Sequence, residues 1–196
     1  ADPLQPGEKH ADIARRVTRI IEELHYSQPD IDNSLSSAIL DRYLDTLDGS
    51  RLYFLGSDIN SFGRYRYELD DLTRGGDLGP VFEIFNTYRT RTAERVEHAL
   101  ALLEQEPDFT VDEAFQFDRS ELPWPATEAE MREIWRLRVK NDALSLILTG
   151  KTWAALTKSE QTVSPIAASS RPATKRRTST SRAPNRFRSP FPARGC

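Results

Sequence analysis

Cysteine is all but missing from this chain. The single one, Cys196, is the last of 196 residues, so no disulfide can form within the chain and no cysteine-based metal site can be built. The three histidines, His10, His25 and His98, lie at no spacing that would put two ligands on one helical face, and no metal or other cofactor is expected. Lysine is scarce before the C-terminal stretch: only Lys9, Lys140 and, at the edge, Lys151 occur, which leaves a serine–lysine nucleophilic pair few places to arise. No Gly-x-Ser-x-Gly elbow is present. No apolar run approaches the roughly 18 residues of a membrane span. The opening "ADPLQPGEKH" has neither an initiator Met nor the apolar core of a signal peptide, which suits a cytosolic chain or the mature part of an exported one. Strand-type alternation is nearly absent, and no long repeat recurs.

What remains is charge and helical periodicity. The net charge of −3 conceals two opposed parts. Nine of the 27 Lys/Arg and one of the 30 Asp/Glu fall from Lys158 onward, which leaves 18 basic against 29 acidic residues before it. An acidic body therefore precedes a basic tail. Two regions follow: a helical domain over 1–157 and a tail over 158–196.

The body reads as five helices. Residues 8–26 carry Ile13, Val17, Ile20, Ile21 and Leu24 at i, i+4, i+7, i+8 and i+11, the apolar face of an amphipathic helix. A second helix, about 33–47, has its stripe at Leu35, Ile39, Tyr43, Leu44 and Leu47 and is stopped by Asp48-Gly49. Leu52, Phe54 and Leu55 of the following connector are expected in the core. A third helix, capped by Ser57 or Asp58 and carrying Ile59, Phe62, Leu69 and Leu72, should run to Gly75-Gly76. The fourth starts at Pro80 and keeps Val81, Phe85, Tyr88, Thr92, Val96, Ala99 and Leu103 at helical spacing toward Pro107. Residues 107–126 break the pattern. They read as an ordered extended segment whose aromatics Phe109, Phe115, Phe117 and Trp124 anchor it on the helices. Thr127-x-x-Glu130 is a capping box that opens a fifth helix to about Thr149, with a stripe of Met131, Trp135, Val139 and Ala143, extended by Leu146 and Ile147. Trp124 and Trp135 are expected to be largely buried. The fold class is all-α: a bundle of about five helices with a long aromatic and proline-containing connector.

"SLILTGKT" (145–152) ends like a phosphate-binding loop. That loop needs a glycine where Ser145 stands and a strand ahead of it, and this sequence has neither. Gly150 reads instead as a helix stop. The remaining polar candidates have structural readings: Lys140 in "RLRVKND" as a solvent-facing cation, Asp70-Asp71 and Glu128/Glu130 as surface and cap residues, His25 as a helix-end residue. No catalytic, cofactor-binding or metal residue is assigned.

The tail is rich in Ser, Thr, Pro, Ala and Arg without periodicity, and is expected to be disordered because it cannot bury enough surface to offset its ordering entropy. An arginine-rich arm could neutralise phosphates, but no recognition module accompanies it, and no nucleic-acid partner is expected. The abrupt change at Lys158 is the kind of switch that a shifted reading frame in a GC-rich gene produces.

Three ordered strings add a resemblance. "SSAILDRYLDTLDGSRLYFLGSDI" (36–59), "FDRSELPWP" (117–125) and "VKNDALSLILTGKT" (139–152) resemble the N-terminal helical domain of bacterial tail-specific proteases. These are periplasmic C-terminal-processing serine endopeptidases with a PDZ domain. The resemblance implies a scaffold and docking role in an enzyme that degrades or trims proteins with nonpolar C-termini, in partnership with a lipoprotein adaptor. It also implies that the serine–lysine catalytic pair and the PDZ domain lie downstream of this domain, so the isolated chain is expected to be inactive. The pattern is lost after "WAALTK". The rival reading is a free-standing helical interaction module whose basic tail binds nucleic acid or an anionic surface.

Overall fold

A computed structural model describes residues 2–24 and 32–158. The expectations for residues 159–196 and for His25 lie outside the described residues. Among those described, seven α-helices and one 3-10 turn occur and no strand: α1 (Glu8–Leu24), α2 (Asn33–Asp48), α3 (Gly56–Phe62), the turn Gly63–Tyr65, α4 (Leu69–Gly75), α5 (Gly79–Leu102), α6 (Glu128–Leu148) and α7 (Trp153–Lys158). The all-α architecture is as read. The count rises because the expected third helix divides and because a short helix follows Gly150.

The division follows contacts with α2. Arg66 is drawn toward α2, where its guanidinium donates to Asp41 (2.8 Å) and Ser37 (2.7 Å). The Leu69 amide then donates to the buried Ser36 hydroxyl (3.0 Å), which serves as the starting cap of α4. The Leu69 amide is thereby withdrawn from a helical ladder running on from 63–68.

Two apolar clusters form the interior. One gathers Leu40, Leu44, Phe54, Phe62, Leu69 and Ile84 from α2, α3, α4, α5 and the 49–55 connector. The other gathers Leu52, Tyr53, Leu55, Ala99, Leu103, Met131, Ile134, Trp135 and Val139 from the same connector, α5 and α6. Tyr88 of α5 touches both. The connector is thus the shared wall, and Leu52, Phe54 and Leu55 are buried as read. The α6 stripe of Met131, Trp135, Val139 and Ala143 is also buried as read. In α2 the most buried positions are Ser36, Leu40, Leu44 and Asp48, so the inward face is rotated from the one expected, and Ile39 is exposed.

The largest departure is α1. Its expected core face points outward: Ile13, Val17 and Ile20 are 59%, 48% and 54% exposed. The buried residues are instead Ala14 and Thr18. α1 packs on α4 through this small-residue side because close approach is fixed there. Gly76 ends α4 in the left-handed conformation (φ 81°), and a Cβ on it would lie 2.7 Å from Arg15 Nε and 3.0 Å from the Ala11 carbonyl oxygen. Arg15 Nε donates to the Gly75 carbonyl (3.0 Å), one of the unpaired acceptors at the end of α4. Arg74 of α4 reaches back to Glu22 (3.0 Å). Charge and cap geometry thus choose the face.

Candidate functional site

Gly150 has φ 92°, and the amides of Gly150 and Lys151 donate to the carbonyls of Ile147 (2.8 Å) and Leu146 (3.3 Å). The N–H groups a phosphate would need are already spent on closing α6. The "GKT" stretch is a helix stop.

The most constructed polar site is centred on Asp48, 2% exposed at the end of α2. Its Oδ1 accepts from the Leu52 amide (2.7 Å). Its Oδ2 accepts from the amides of Tyr53 (3.1 Å) and Phe54 (2.9 Å) and from the Trp124 indole N–H (3.1 Å). Burial pushes the Asp48 carboxyl up, and the four hydrogen bonds pull it back toward the ionised form. To reach this geometry the chain turns through Gly49, where a Cβ would lie 2.7 Å from the Asp45 carbonyl oxygen, and through Arg51, held left-handed at φ 56°. Arg51 is fixed there by Asp45 (2.7 Å) and by stacking 3.6 Å from the centre of the Trp124 ring. The Trp135 indole donates to the Leu52 carbonyl (2.7 Å), and the Gly56 amide donates to the Pro125 carbonyl (2.9 Å). Segments from 48–56, 124–125 and α6 are tied at one point. With both carboxylate oxygens occupied, Asp48 acts as a lock and is not placed as a general base.

Two further ion clusters involve α6. Arg95 of α5, 1% exposed, makes a forked pair with Glu128 at the start of α6; one arm measures 2.9 Å. Lys140 is 8% exposed, not solvent-facing as read. The 107–126 segment folds over it, and its Nζ donates to the Val111 carbonyl (3.0 Å) and to Glu113. Arg136 pairs with the same carboxylate, and hydrogen bonds from Arg136 and Lys140 pull Glu113 down to about 2. The partners of Lys140 are a carbonyl and a carboxylate, not a serine hydroxyl, so the arrangement is not that of a serine–lysine nucleophile.

The other residues discussed from the sequence are scattered. Asp70 is buried in α4, and Asp71 pairs with Arg74. Thr127 Oγ1 accepts from the Glu130 amide (3.2 Å), while Glu130 returns to the Ala126 amide (2.9 Å), one residue outside the usual capping box. Trp124 is partly buried and Phe115 packs on the α5–α6 cluster, but Phe117 is 67% exposed and anchors nothing in the core. Among the described residues no group of three or more His, Cys, Asp or Glu could hold a metal ion, and no helix is long and apolar enough to cross a membrane. The Asp48 lock was not singled out from the sequence. Its signal was an acid at a helix end facing the amides of the connector that follows.

Two of the three strings that carried the resemblance meet at this lock, and the third supplies Val139 and Ala143 to the neighbouring core. A family model described as the tail specific protease N-terminal domain matches residues 17–187. The chain belongs to that family. The tail-specific protease of Haemophilus influenzae is 36% identical to it over 143 residues, which is 72% of this chain and 21% of that protein. The chain therefore spans about a fifth of the length of this relative. Within the tail-specific protease N-terminal domain, the Asp48 lock and the α6 core both lie inside the matched residues.

Proposed function

We propose that this chain is the N-terminal scaffold and docking domain of a periplasmic, C-terminal-processing serine endopeptidase. The enzyme as a whole would degrade or trim proteins with nonpolar C-termini and work with a lipoprotein adaptor. The observation that carries the reading is the match to the tail-specific protease N-terminal domain across most of the chain. The tie between 48–54 and Trp124, with Trp135 of α6 bonded to Leu52, supports a scaffold part, since a carboxylate engaged by four donors favours one geometry over others. The rival reading, a free-standing module with a nucleic-acid-binding tail, depends on residues outside those described, and no feature of the described body favours it.

The test is a graft. Residues 8–157 would replace the matching segment of the Haemophilus influenzae protease, and cleavage of an unstructured substrate with a nonpolar C-terminus would be followed. The expected result is cleavage by the chimera and none by the isolated chain, because proteolysis needs a positioned nucleophile and base. Cleavage by the isolated chain that one of its own serine-to-alanine variants abolishes would overturn the scaffold reading. So would a folded chimera with no activity.

A further inference from the structure

α1 turns its large apolar side chains away from the body. Ile13, Val17 and Ile20 are all about half exposed, and their 4–3 spacing sets them in one row along the helix. The contact with α4 lies to one side of this row, through Ala14 and Thr18. At about 100° of turn per residue, Arg16 and Glu23 border the row on the other side. Both are exposed, and neither forms an ion pair with another described residue, whereas their neighbours Arg15 and Glu22 are engaged with Asp12 and Arg74.

This pattern has a register. A row at 4–3 spacing is the seam of a two-helix coiled coil, with Ile13 and Ile20 at d and Val17 at a. Arg16 and Glu23 then both fall at g. In a parallel pair each g residue meets an e residue of the partner helix, and Arg16 would face Ile21. In an antiparallel pair g meets g. With Val17 of one copy opposite Ile20 of the other, Arg16 of each copy lies beside Glu23 of the other. The two free charges are therefore self-complementary in the antiparallel orientation and unmatched in the parallel one. A membrane surface fits less well. Helices that lie on anionic lipid are rich in Lys and Arg, but α1 has four basic and four acidic residues and belongs to an acidic body.

We propose that α1 is a self-association surface, which pairs antiparallel with α1 of a second copy of this chain. The apolar row supplies the attraction. The two Arg16–Glu23 contacts set the direction more than the strength, because exposed ion pairs contribute little. From Ile13 to Ile20 the row is only about 10 Å long. The contact is at the small end of specific interfaces, so the pairing is weak, with half-association at roughly 10–100 µM. The proposal stands on α1 and is independent of the scaffold reading.

The experiment is sedimentation equilibrium of the whole chain from about 5 µM to about 500 µM, a range that brackets the expected dissociation constant. A monomer–dimer equilibrium is expected. Val17→Glu should weaken it at least about tenfold, the scale of losing one packed apolar contact, with the helical circular-dichroism signal unchanged. Leu100→Glu, at an exposed apolar position on α5, should leave it as it is. Arg16→Glu and Glu23→Arg should each weaken pairing severalfold, because each sets like charges side by side at both ends of the seam. The double variant Arg16→Glu/Glu23→Arg should restore it, as should mixing the two single variants. A chain that stays monomeric throughout overturns the proposal. Protection of α1 from hydrogen exchange in the grafted enzyme, but not in the chain, would then assign the face to the rest of the protease. Association untouched by Val17→Glu but abolished by high salt overturns it by assigning the contact to the basic tail. Charge variants without effect, or a double variant that is not restored, overturn the antiparallel pairing.

Discussion

α6 and α1 look alike as strings of letters and behave oppositely in the fold. Both carry an apolar stripe at helical spacing, but α1 is the more sharply divided into apolar and polar sides, and α6 also buries Arg138 and Lys140. The α6 stripe is buried from Met131 to Ala143: Met131, Trp135, Val139 and Ala143 are all under 5% exposed. The α1 stripe of Ile13, Val17 and Ile20 faces outward, while the small residues Ala14 and Thr18 make its contact with α4. Periodicity says which side of a helix is apolar. Which side is covered depends on what the neighbouring element can accept at close range. The end of α5 and the 49–55 connector offer α6 the apolar side chains of Ala99, Leu103, Leu52 and Tyr53; α4 offers α1 a glycine stop, a helix-end carbonyl and an arginine.

The first way to press on this contrast is to hollow out the α6 side. Trp135→Ala removes a ring 1% exposed and leaves the Leu52 carbonyl without its indole donor. The expected loss is about 4 kcal/mol or more, read from urea unfolding. A loss under about 1 kcal/mol would mean that the α6 stripe is no better anchored than that of α1.

Next in size is Asp48→Asn. The shape is kept, but one of the two oxygens becomes an NH2 group that faces donors. If it replaces Oδ2, three N–H groups lose their acceptor; if it replaces Oδ1, one does. Each buried donor left unpaired costs about 1–3 kcal/mol, so even the better orientation should be measurable. Trp124 fluorescence should change with it, because its indole N–H is one of the donors.

The α1 side responds to a smaller probe. Gly76→Ala puts a Cβ against Arg15 and the Ala11 carbonyl and forces a left-handed φ on an L-residue. A loss of about 1–2 kcal/mol is expected. Hydrogen exchange should rise in α1 and α4 and stay unchanged in α6, since the damage sits at the α1–α4 contact.

These cases show how far the sequence could be read. Helix positions followed from period and punctuation: Pro80 opening α5, Thr127 capping α6 and Gly150 ending it each act through their own backbone chemistry. The core of α6 and of the 49–55 connector was legible because nearly every neighbour they meet is apolar. The lock was not, because Asp48 finds its fourth donor 76 residues away on Trp124. Arg95 was missed for a similar reason: a buried cation is intelligible only once Glu128, from another helix, is beside it. Lys140 was read as exposed because nothing local says that 107–126 will cover it.

Glu113, the residue that covers Lys140, gives a test by pH. Its carboxyl is held down to about 2 by Arg136 and Lys140, below the unfolded value of about 4.3. A group whose folded pKa is depressed contributes stability that is present above the unfolded pKa and lost as pH falls toward the folded one. Glu113→Gln should therefore flatten the decline in stability between about pH 4.5 and pH 2, with little change in its shape above pH 6. An identical acid limb in the variant and wild type would mean that the pair is fully screened by solvent.

The smallest effect expected is the most diagnostic of α1. Val17 is about half exposed, so replacing it by glutamate removes little packed surface and buries no charge. Val17→Glu should change stability by under about 0.5 kcal/mol, as surface substitutions do. Ala14→Glu, three residues earlier on the same helix, would force a longer charged side chain into the contact with α4 and should cost several times more. The pair reads out which face of α1 is packed independently of any structure. If the two costs were reversed, the helix would be seated on its large apolar face, and the capping of α4 by Arg15 and the close approach at Gly76 could not both hold.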